Sequence, residues 1–402
     1  MDNILLSLAI IIIFGLIFSR LFLKIGLPGL LGMIVVGVLI GPYYLNLIDP
    51  RFLGISSDLR VMALIIILLR AGLSLHRDAL RKVGNSALKM SFVPCLFEGL
   101  AILVISHFLL GLPWIVAGML GFIIAAVSPA VVVPSMLSFI ERGMGTVKNI
   151  PTLLMAGASA DNVVAITIFS AFLGFYTNNS LNIGIAILGI PVSLLIGMIM
   201  GFLLGLFILR IFKHYSVGSS EKILIILASA ILLKELGDYL QNYIPVAALL
   251  GIMVLGFVIV DRNPNLGLEL SSKFSKIWIL AEIILFVLVG AEVNINLVIS
   301  AGVAGIIIIC MGLIARSLGV YLSLKGTELN MDEKLFSMVA NTPKATVQAA
   351  IGAVPLAAGV ASGDIILAIS VLAIILTAPL GSLGIKVMGD KILTREKETR
   401  KA

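Results

Sequence analysis

Charged residues are scarce in this chain of 402 residues. Asp, Glu, Lys and Arg make up 12% of the sequence, whereas soluble domains carry about 25%. Hydrophobic residues make up 60%, and the mean hydropathy is +1.18. So much apolar surface cannot be buried inside a soluble domain and needs a lipid phase. The composition therefore excludes a soluble enzyme, a disordered chain and a nucleic-acid-binding module, and it indicates a membrane protein that crosses the bilayer many times.

Cysteine and histidine are also rare. The two cysteines, Cys95 and Cys310, both fall in apolar stretches. We interpret them as small buried hydrophobic residues rather than as a disulfide or a metal site. The three histidines are scattered along the chain and predict no metal cluster. We expect no cofactor and no enzymatic activity.

Apolar stretches alternate with short polar connections along the whole chain. A bilayer crossing needs about 20 apolar residues. The hydropathy predicts thirteen transmembrane helices, TM1 to TM13, over residues 4–23, 27–47, 58–75, 85–110, 112–140, 149–177, 182–212, 219–241, 245–261, 272–293, 296–325, 331–355 and 360–388. The first stretch lacks a charged leading region and a cleavage site, so we expect it to be retained as TM1.

The net charge of +7 indicates orientation rather than an anionic partner. If the N-terminus is outside, the cytoplasmic loops and the C-terminal tail hold 22 of the 28 basic residues, and the outer loops hold three. Lys and Arg collect on the cytoplasmic loops of membrane proteins. We therefore predict an outer N-terminus, a cytoplasmic C-terminus and no nucleic-acid partner.

The two halves of the chain carry matching motifs. The pairs occur in the same order in each half: Gly32 and Gly37 with Gly251 and Gly256, Ser128-Pro129 with Thr342-Pro343, and Asp161 with Asp364. TM1–TM6 therefore match TM8–TM13, with TM7 between them. An odd number of crossings separates each pair, so the second half is inverted in the membrane. Inverted repeats are typical of secondary transporters, whose binding site lies near the bilayer midplane.

Prolines in the middle of TM5 and TM12 predict two broken helices. Pro129 and Pro343 each remove a backbone donor and disturb the preceding turn. A broken helix at membrane depth is tolerated only where it lines a cavity or is buried in protein. We predict that the two unwound segments cross, with Lys344 offsetting the negative ends of the half-helix dipoles.

A few charged residues fall inside the predicted helices, where each costs at least about 2.5–3.5 kcal/mol on insertion scales. Glu98 and Arg316 lie on equivalent helices and predict a charge pair in the core, which either ties the helices together or takes part in ion handling. Asp161 is a carboxylate beside the broken helices, able to bind a hard monovalent cation or a proton. We assign Asp161 as the ion and proton site; the alternative is a structural aspartate. Its predicted neighbours are Asn162, Ser128, Ser159 and Thr342.

Five stretches resemble the cation/proton antiporter superfamily, in particular the sodium/proton antiporter branch that includes animal antiporters and their bacterial relatives. They are residues 70–73 (RAGL), 91–96 (SFVPCL), 106–114 (SHFLLGLPW), 126–136 (AVSPAVVVPSM) and 343–349 (PKATVQA). The resemblance covers nearly the whole chain. It implies exchange of Na⁺ or Li⁺ for protons by an elevator-like movement, in a homodimer embedded in the bilayer. We expect the protein in a bacterial inner membrane.

The resemblance also implies an all-α membrane fold of two inverted six-helix repeats joined by a linker helix. The dimerisation domain would comprise residues 1–82 and 216–294, the core that carries the ion site residues 83–180 and 295–390, the linker residues 181–215, and the cytoplasmic tail residues 391–402.

The family pattern fails at one position. That branch usually has two adjacent aspartates in TM6 and binds the ion with the second, whereas here Asn162 follows Asp161. An amide offers a cation one neutral oxygen but cannot bind or release a proton. Three explanations stay open: an engineered Asp-to-Asn substitution, transport by Asp161 alone, or a paralog that does not transport. A sodium-coupled symporter of small organic solutes with a similar fold is a further alternative.

Overall fold

The computed structural model describes residues 3–74, 77–177, 183–215, 217–240, 244, 246–292 and 295–394. Within these ranges the secondary structure is helical, without a strand. The helices are α1 (Ile4–Lys24), α2 (Gly29–Ile40), α3 (Pro50–Gly54), α4 (Ser56–Ser74), α5 (Arg77–Leu110), α6 (Trp114–Ala125), α7 (Pro129–Glu141), α8 (Ile150–Thr177), α9 (Ile183–His214), α10 (Ser219–Leu240), α11 (Ala248–Arg262), α12 (Pro264–Ala291), α13 (Ile295–Ser323), α14 (Met331–Ala340), α15 (Thr346–Ile351), α16 (Val354–Ala357) and α17 (Gly363–Ile392).

Several of these helices are suited to a membrane. In the described part of the chain, six helical segments are long and apolar enough to cross a bilayer: Ile4–Lys24, Gly84–Leu110, Leu195–His214, Pro264–Ala291, Gly302–Ser323 and Gly363–Ile392. The all-helical, polytopic architecture expected from the composition is thus present. The number of thirteen crossings stays a prediction.

Two predicted helices are interrupted at their prolines. TM5 is divided into α6 and α7, and TM12 into α14, α15 and α16. Two other helix ends differ from the hydropathy pattern. α2 ends at Ile40, short of residue 47, because Gly41 is extended and precedes a proline. α5 begins at Arg77 and is bent at Gly84, where φ is +47°, a value that favours glycine.

The helices pack in two groups. In the first group α5 packs against α6, α8 and α13, α6 also packs against α8, and α17 packs against α13. In the second group α2, α4, α11 and α12 form a set of contacts, with α9 against α11. The short helix α15 contacts α4 and α12 as well as α6 and α17. It therefore lies where the two groups meet. The domain boundaries given above stay a prediction, and this packing is consistent with them.

The matching glycines lie at equivalent close contacts. A Cβ atom on Gly37 in α2 would lie 2.1 Å from the Val287 carbonyl oxygen of α12, and one on Gly256 in α11 would lie 2.8 Å from the Leu69 carbonyl oxygen of α4. Only glycine permits backbones to approach this closely. The repeat stays a prediction, and each half uses its glycine for the same purpose.

The two cysteines differ in environment. Cys95 is fully buried in α5, as expected, whereas Cys310 is on the exposed side of α13. The interpretation of Cys310 as a buried residue was therefore wrong. In an apolar helix whose outer side contacts lipid, a small apolar residue is accommodated on either side, so hydropathy alone does not distinguish them.

Candidate ion-binding site

The first break lies between α6 and α7. α6 ends at Ala125, Ala126 and Ser128 have extended backbones, and α7 begins at Pro129. In a continuous helix the residue-129 N–H would bond to the Ala125 carbonyl, and proline has no such donor. The break thus leaves Ala125 O without its helical donor, and this oxygen accepts a hydrogen bond from Arg316 Nη1 at 2.5 Å instead.

The backbone donors of this break are directed away from α6. Val127 N donates to Asp161 Oδ2 at 3.0 Å. Ser128 N donates to the Pro343 carbonyl at 2.8 Å, which joins the first break directly to the second. The two unwound segments therefore contact each other; that they cross stays a prediction.

The second break lies between α14 and α15. α14 ends at Ala340, and α15 begins at Thr346. Asn341 Nδ2 donates to Ser337 O at 2.9 Å, so an amide from the break itself caps α14. Lys344 N donates to Thr377 Oγ1 of α17 at 2.8 Å, which fixes the backbone beside Pro343.

Four buried charged side chains meet beside the two breaks. Arg316 Nη1 lies 2.7 Å from Glu98 Oε2, and Arg316 Nη2 lies 3.0 Å from Asp161 Oδ2. Lys344 Nζ lies 2.6 Å from Glu98 Oε2. All four side chains are at most 1% exposed. With two acids and two bases, the cluster is neutral when every group is ionised.

Burial makes these ion pairs depend on one another. Removing one partner of a buried pair typically costs 3–5 kcal/mol, roughly, because the remaining charge stays desolvated. Arg316 bridges two carboxylates and also binds Ala125 O, so it holds α5, α6, α8 and α13 together. Its role extends beyond the pair with Glu98 that the sequence predicted.

Several buried side-chain oxygens have no hydrogen-bond partner. Among them are Ser128 Oγ in the first break, Asp161 Oδ1 and Asn162 Oδ1 on α8, Glu98 Oε1 on α5 and Gln348 Oε1 on α15. Buried polar atoms are almost always paired, so unpaired oxygens need an explanation. Carboxylate, amide and hydroxyl oxygens are ligands for hard cations. The surroundings of the first break can therefore offer oxygen ligands to a cation.

The other predicted site residues differ in what they can contribute. Thr342 Oγ1 donates to Val339 O at 2.8 Å, so its hydroxyl caps α14. The Ser159 side chain lies outside the described residues. Asp161, expected to be a lone carboxylate, is instead paired with Arg316 through one of its oxygens. Pro129 begins α7 directly after the first break, and Pro343 lies within the second break, between α14 and α15.

Sequence reasoning missed one functional candidate, Gln348. This side chain is 1% exposed in α15, and its amide nitrogen donates to backbone carbonyls at the end of α6. It lies within the stretch of residues 343–349 that resembles the antiporters. A lone glutamine in an apolar helix was the available signal, because an unpaired amide is costly there.

Comparison with known proteins agrees with this architecture. A family model described as sodium/hydrogen exchanger, transmembrane, matches residues 7–391. Sodium/hydrogen exchanger 9B2 of Mus musculus is 36% identical over 384 residues, which span 92% of this chain and 69% of that protein. Sodium/hydrogen exchanger 9B1 of Homo sapiens is 35% identical over 390 residues, spanning 93% and 74%.

A solved structure has the same fold. The sodium proton antiporter MjNhaP1 from Methanocaldococcus jannaschii, determined at pH 8, superposes with a TM-score of 0.83 and covers 96% of this chain and 97% of its own, at 20% sequence identity. The family match and the apolar helices together identify an integral membrane protein, and the resemblance to sodium/proton antiporters is confirmed. The chain belongs to the transmembrane sodium/hydrogen exchanger family.

Proposed function

We propose that this protein exchanges Na⁺ or Li⁺ for protons across a membrane, with Asp161 as the group that binds either the cation or the proton. One observation supports this most directly. Asp161 is fully buried beside the two breaks; Oδ2 is held by Arg316 and Val127, and Oδ1 has no partner. Glu98 also has an unpartnered oxygen, but its other oxygen is paired with two cations, whereas Asp161 is paired with one and keeps Oδ1 available for a ligand.

The charge of the cluster favours one-for-one exchange. The neutral set of Glu98, Asp161, Arg316 and Lys344 gains one positive charge when Asp161 binds Na⁺, and the same charge when it binds a proton. The desolvation cost of the occupied site is therefore alike for both ions. We infer a stoichiometry of one cation per proton, so that transport moves no net charge.

Alternating access follows from the two groups of helices. The cluster joins α5, α6, α8 and α13, so these helices would move as one body, together with the bound ion. α4 and α12 would form the static surface along which the body slides, and α15 contacts both of them. Such a movement is the elevator type. By analogy with the family, the protein would be a homodimer, with its N-terminus outside and its C-terminus in the cytoplasm of a bacterial cell.

Asn162 distinguishes this chain from the family pattern. Its Oδ1 is buried and unpartnered, so it can act as a neutral ligand beside Asp161. It cannot supply a second proton. We propose that the site works with one carboxylate, and that Asn162→Asp raises the rate of exchange whether or not the asparagine replaces an original aspartate.

Titration calorimetry tests the site directly. We expect the purified protein to bind Na⁺ and Li⁺, Asp161→Asn to bind neither, and Asn162→Asp to bind them more tightly. In proteoliposomes with a preset pH gradient, Na⁺ should dissipate the gradient faster with Asn162→Asp than with the unchanged chain. Binding that survives Asp161→Asn would remove this carboxylate from the mechanism. Absence of any cation binding would favour the paralog that does not transport.

A further inference from the structure

Two charged side chains at membrane depth take no part in the site described above. Glu282 lies on α12, inside the apolar segment Pro264–Ala291, and Arg70 lies on α4, the predicted TM3. α4 and α12 pack against each other, and the two charges are close enough to interact. A charge at this depth is costly in lipid, so it normally faces protein or a water-filled cavity.

Both residues mark the level at which their helix stops being enclosed. Every residue of α4 from Ala63 to Leu69 is buried, and Arg70 is partly exposed. Every residue of α12 from Ile283 to Ala291 is buried, and Glu282 is partly exposed. α4 and α12 therefore become accessible at the same level.

The accessible parts of the two helices lie towards one end of the molecule. Arg77, just after α4, is paired with Asp261, just before α12, at 3.8 Å. The last turn of α4 and the first turns of α12 are therefore neighbours. The distribution of Lys and Arg predicts that this end is cytoplasmic.

The side of α12 that leads from this end to Glu282 carries polar residues. Ser271, Ser275 and Glu282 follow one another at spacings of four and seven residues, which places them on one face of a helix, and all three are partly exposed. Ser275 Oγ donates to Ser271 O at 2.9 Å, so its proton is satisfied within the helix and its oxygen can still accept from water. A polar face of this kind favours contact with water over contact with lipid.

We propose that these residues line a water-filled cleft between the two groups of helices, that the cleft is the cytoplasmic entrance to the ion site, and that Glu282 draws the transported cation into it. The inference rests on the proposed exchange of Na⁺ or Li⁺. All six residues of α15 are buried and α15 contacts both α4 and α12, so in this arrangement α15 closes the cleft beyond Glu282. A negative charge in a cleft with low-dielectric walls raises the local concentration of cations. The charge of Arg70 opposes this attraction, so the cation is drawn in without being held.

A cysteine reporter measures the electrostatic potential of the cleft. In a Cys310→Ser background, which leaves only the buried Cys95, Ser275→Cys is treated with two membrane-impermeant methanethiosulfonates, one carrying trimethylammonium and the other sulfonate. Each reagent is applied at low ionic strength to vesicles of either orientation. We expect labelling from the cytoplasmic side only.

The ratio of the two labelling rates reports the charge of Glu282. Adding Glu282→Gln should lower the ratio of cationic to anionic labelling about fourfold, because a unit charge about 10 Å along the helix acts on the two reagents with opposite sign. Adding Arg70→Gln should raise it. The matched control is Glu235→Gln, which removes the same charge from a side chain of α10 that is 64% exposed and should leave the ratio unchanged.

Transport kinetics distinguish attraction of the cation from support of the fold. At low ionic strength, Glu282→Gln should raise the Na⁺ concentration for half-maximal exchange severalfold and leave the maximal rate unchanged. Glu282→Asp, which keeps the charge, should restore the original value. At high ionic strength the difference between Glu282→Gln and the unchanged chain should disappear, because salt screens the charge.

A Ser275→Cys protein that is unreactive, or that is labelled only from the outer side, would overturn the proposal. So would a ratio that does not respond to Glu282→Gln. Should Glu282→Gln fail to fold, the rise expected for Arg70→Gln decides. The labelling needs no Na⁺, so it is separate from the proposed function: a ratio that responds in a protein that binds no Na⁺ would support the charged cleft and contradict cation exchange.

Discussion

The two breaks contact each other but are stabilised in different ways. At the first break, the carbonyls at the end of α6 are capped by side chains from the other half of the chain, those of Gln348 and Arg316. At the second break, α14 is capped by Asn341 and Thr342 of the break itself. The end of α6 therefore depends on long-range partners, whereas the end of α14 is capped locally.

A second difference lies in the side chain that accepts a hydrogen bond from the backbone of each break. On α8, the carboxylate of Asp161 accepts a hydrogen bond from Val127 N. On α17, the hydroxyl of Thr377 accepts one from Lys344 N. The two contacts share a geometry but not a charge. In the proposed function only the carboxylate binds a proton or a cation in turn, so the exchange chemistry would lie at the first break. The second break supplies the counter-charge of Lys344.

The largest difference between the breaks should appear on removal of Arg316. Arg316→Leu leaves Glu98 and Asp161 without their shared cation, and we expect it to lower the free energy of unfolding by about 3–5 kcal/mol. Chemical denaturation in detergent measures this. The control is Arg142→Leu, which removes an exposed ion pair: the Arg142 side chain is 43% exposed and that of its partner Asp390 is 45% exposed. This substitution should lower the free energy of unfolding by about 0–1 kcal/mol. Similar losses in the two variants would mean that the buried cluster does not hold the first break.

An intermediate effect is expected at the second break. Thr377→Val keeps the shape of the side chain but removes the acceptor of the buried Lys344 N–H, which should cost about 1–3 kcal/mol. Stabilisation by Na⁺, measured as the shift of the thermal midpoint, should remain, because the hydroxyl belongs to the framework and not to the ion site. Loss of that shift would show that the second break also takes part in cation binding.

The pH dependence of Na⁺ binding sharpens the same contrast. A single carboxylate that binds either ion loses up to tenfold in apparent Na⁺ affinity for each unit by which the pH falls below its pKa, about 1.4 kcal/mol, and loses nothing well above it. Calorimetry across a pH series should give this slope of one. A slope near two would show a second proton-binding group in the cluster, and Lys344 would be the group to test.

The sequence predicts the breaks better than it predicts their partners. Pro129 and Pro343 disrupt a helix wherever they occur within one, so their effect is local. The contact between Arg316 and Asp161 joins residues 155 positions apart, and it depends on how α8 and α13 pack. Gln348 illustrates the limit most clearly, because an amide in an apolar helix signals a missing partner without identifying which carbonyls it reaches. Hydropathy likewise predicts the long helices but not the bend at Gly84.

The smallest expected effect is on Na⁺ affinity, and it concerns two hydroxyls, those of Ser128 and Thr342, that occupy matching positions in the two sequence motifs. Ser128 Oγ is buried without a partner at the first break, whereas Thr342 Oγ1 donates to Val339 O at the second. If Na⁺ is bound at the first break, Ser128→Ala removes one ligand and should weaken Na⁺ binding roughly 2–10-fold, the range of one net polar contact. Thr342→Val should lower stability more than it lowers Na⁺ affinity, since its hydroxyl is engaged in capping. Titration calorimetry and thermal unfolding of both variants measure the two quantities. The opposite ranking would move the cation towards the second break, where Thr342 would then be a ligand rather than a helix cap.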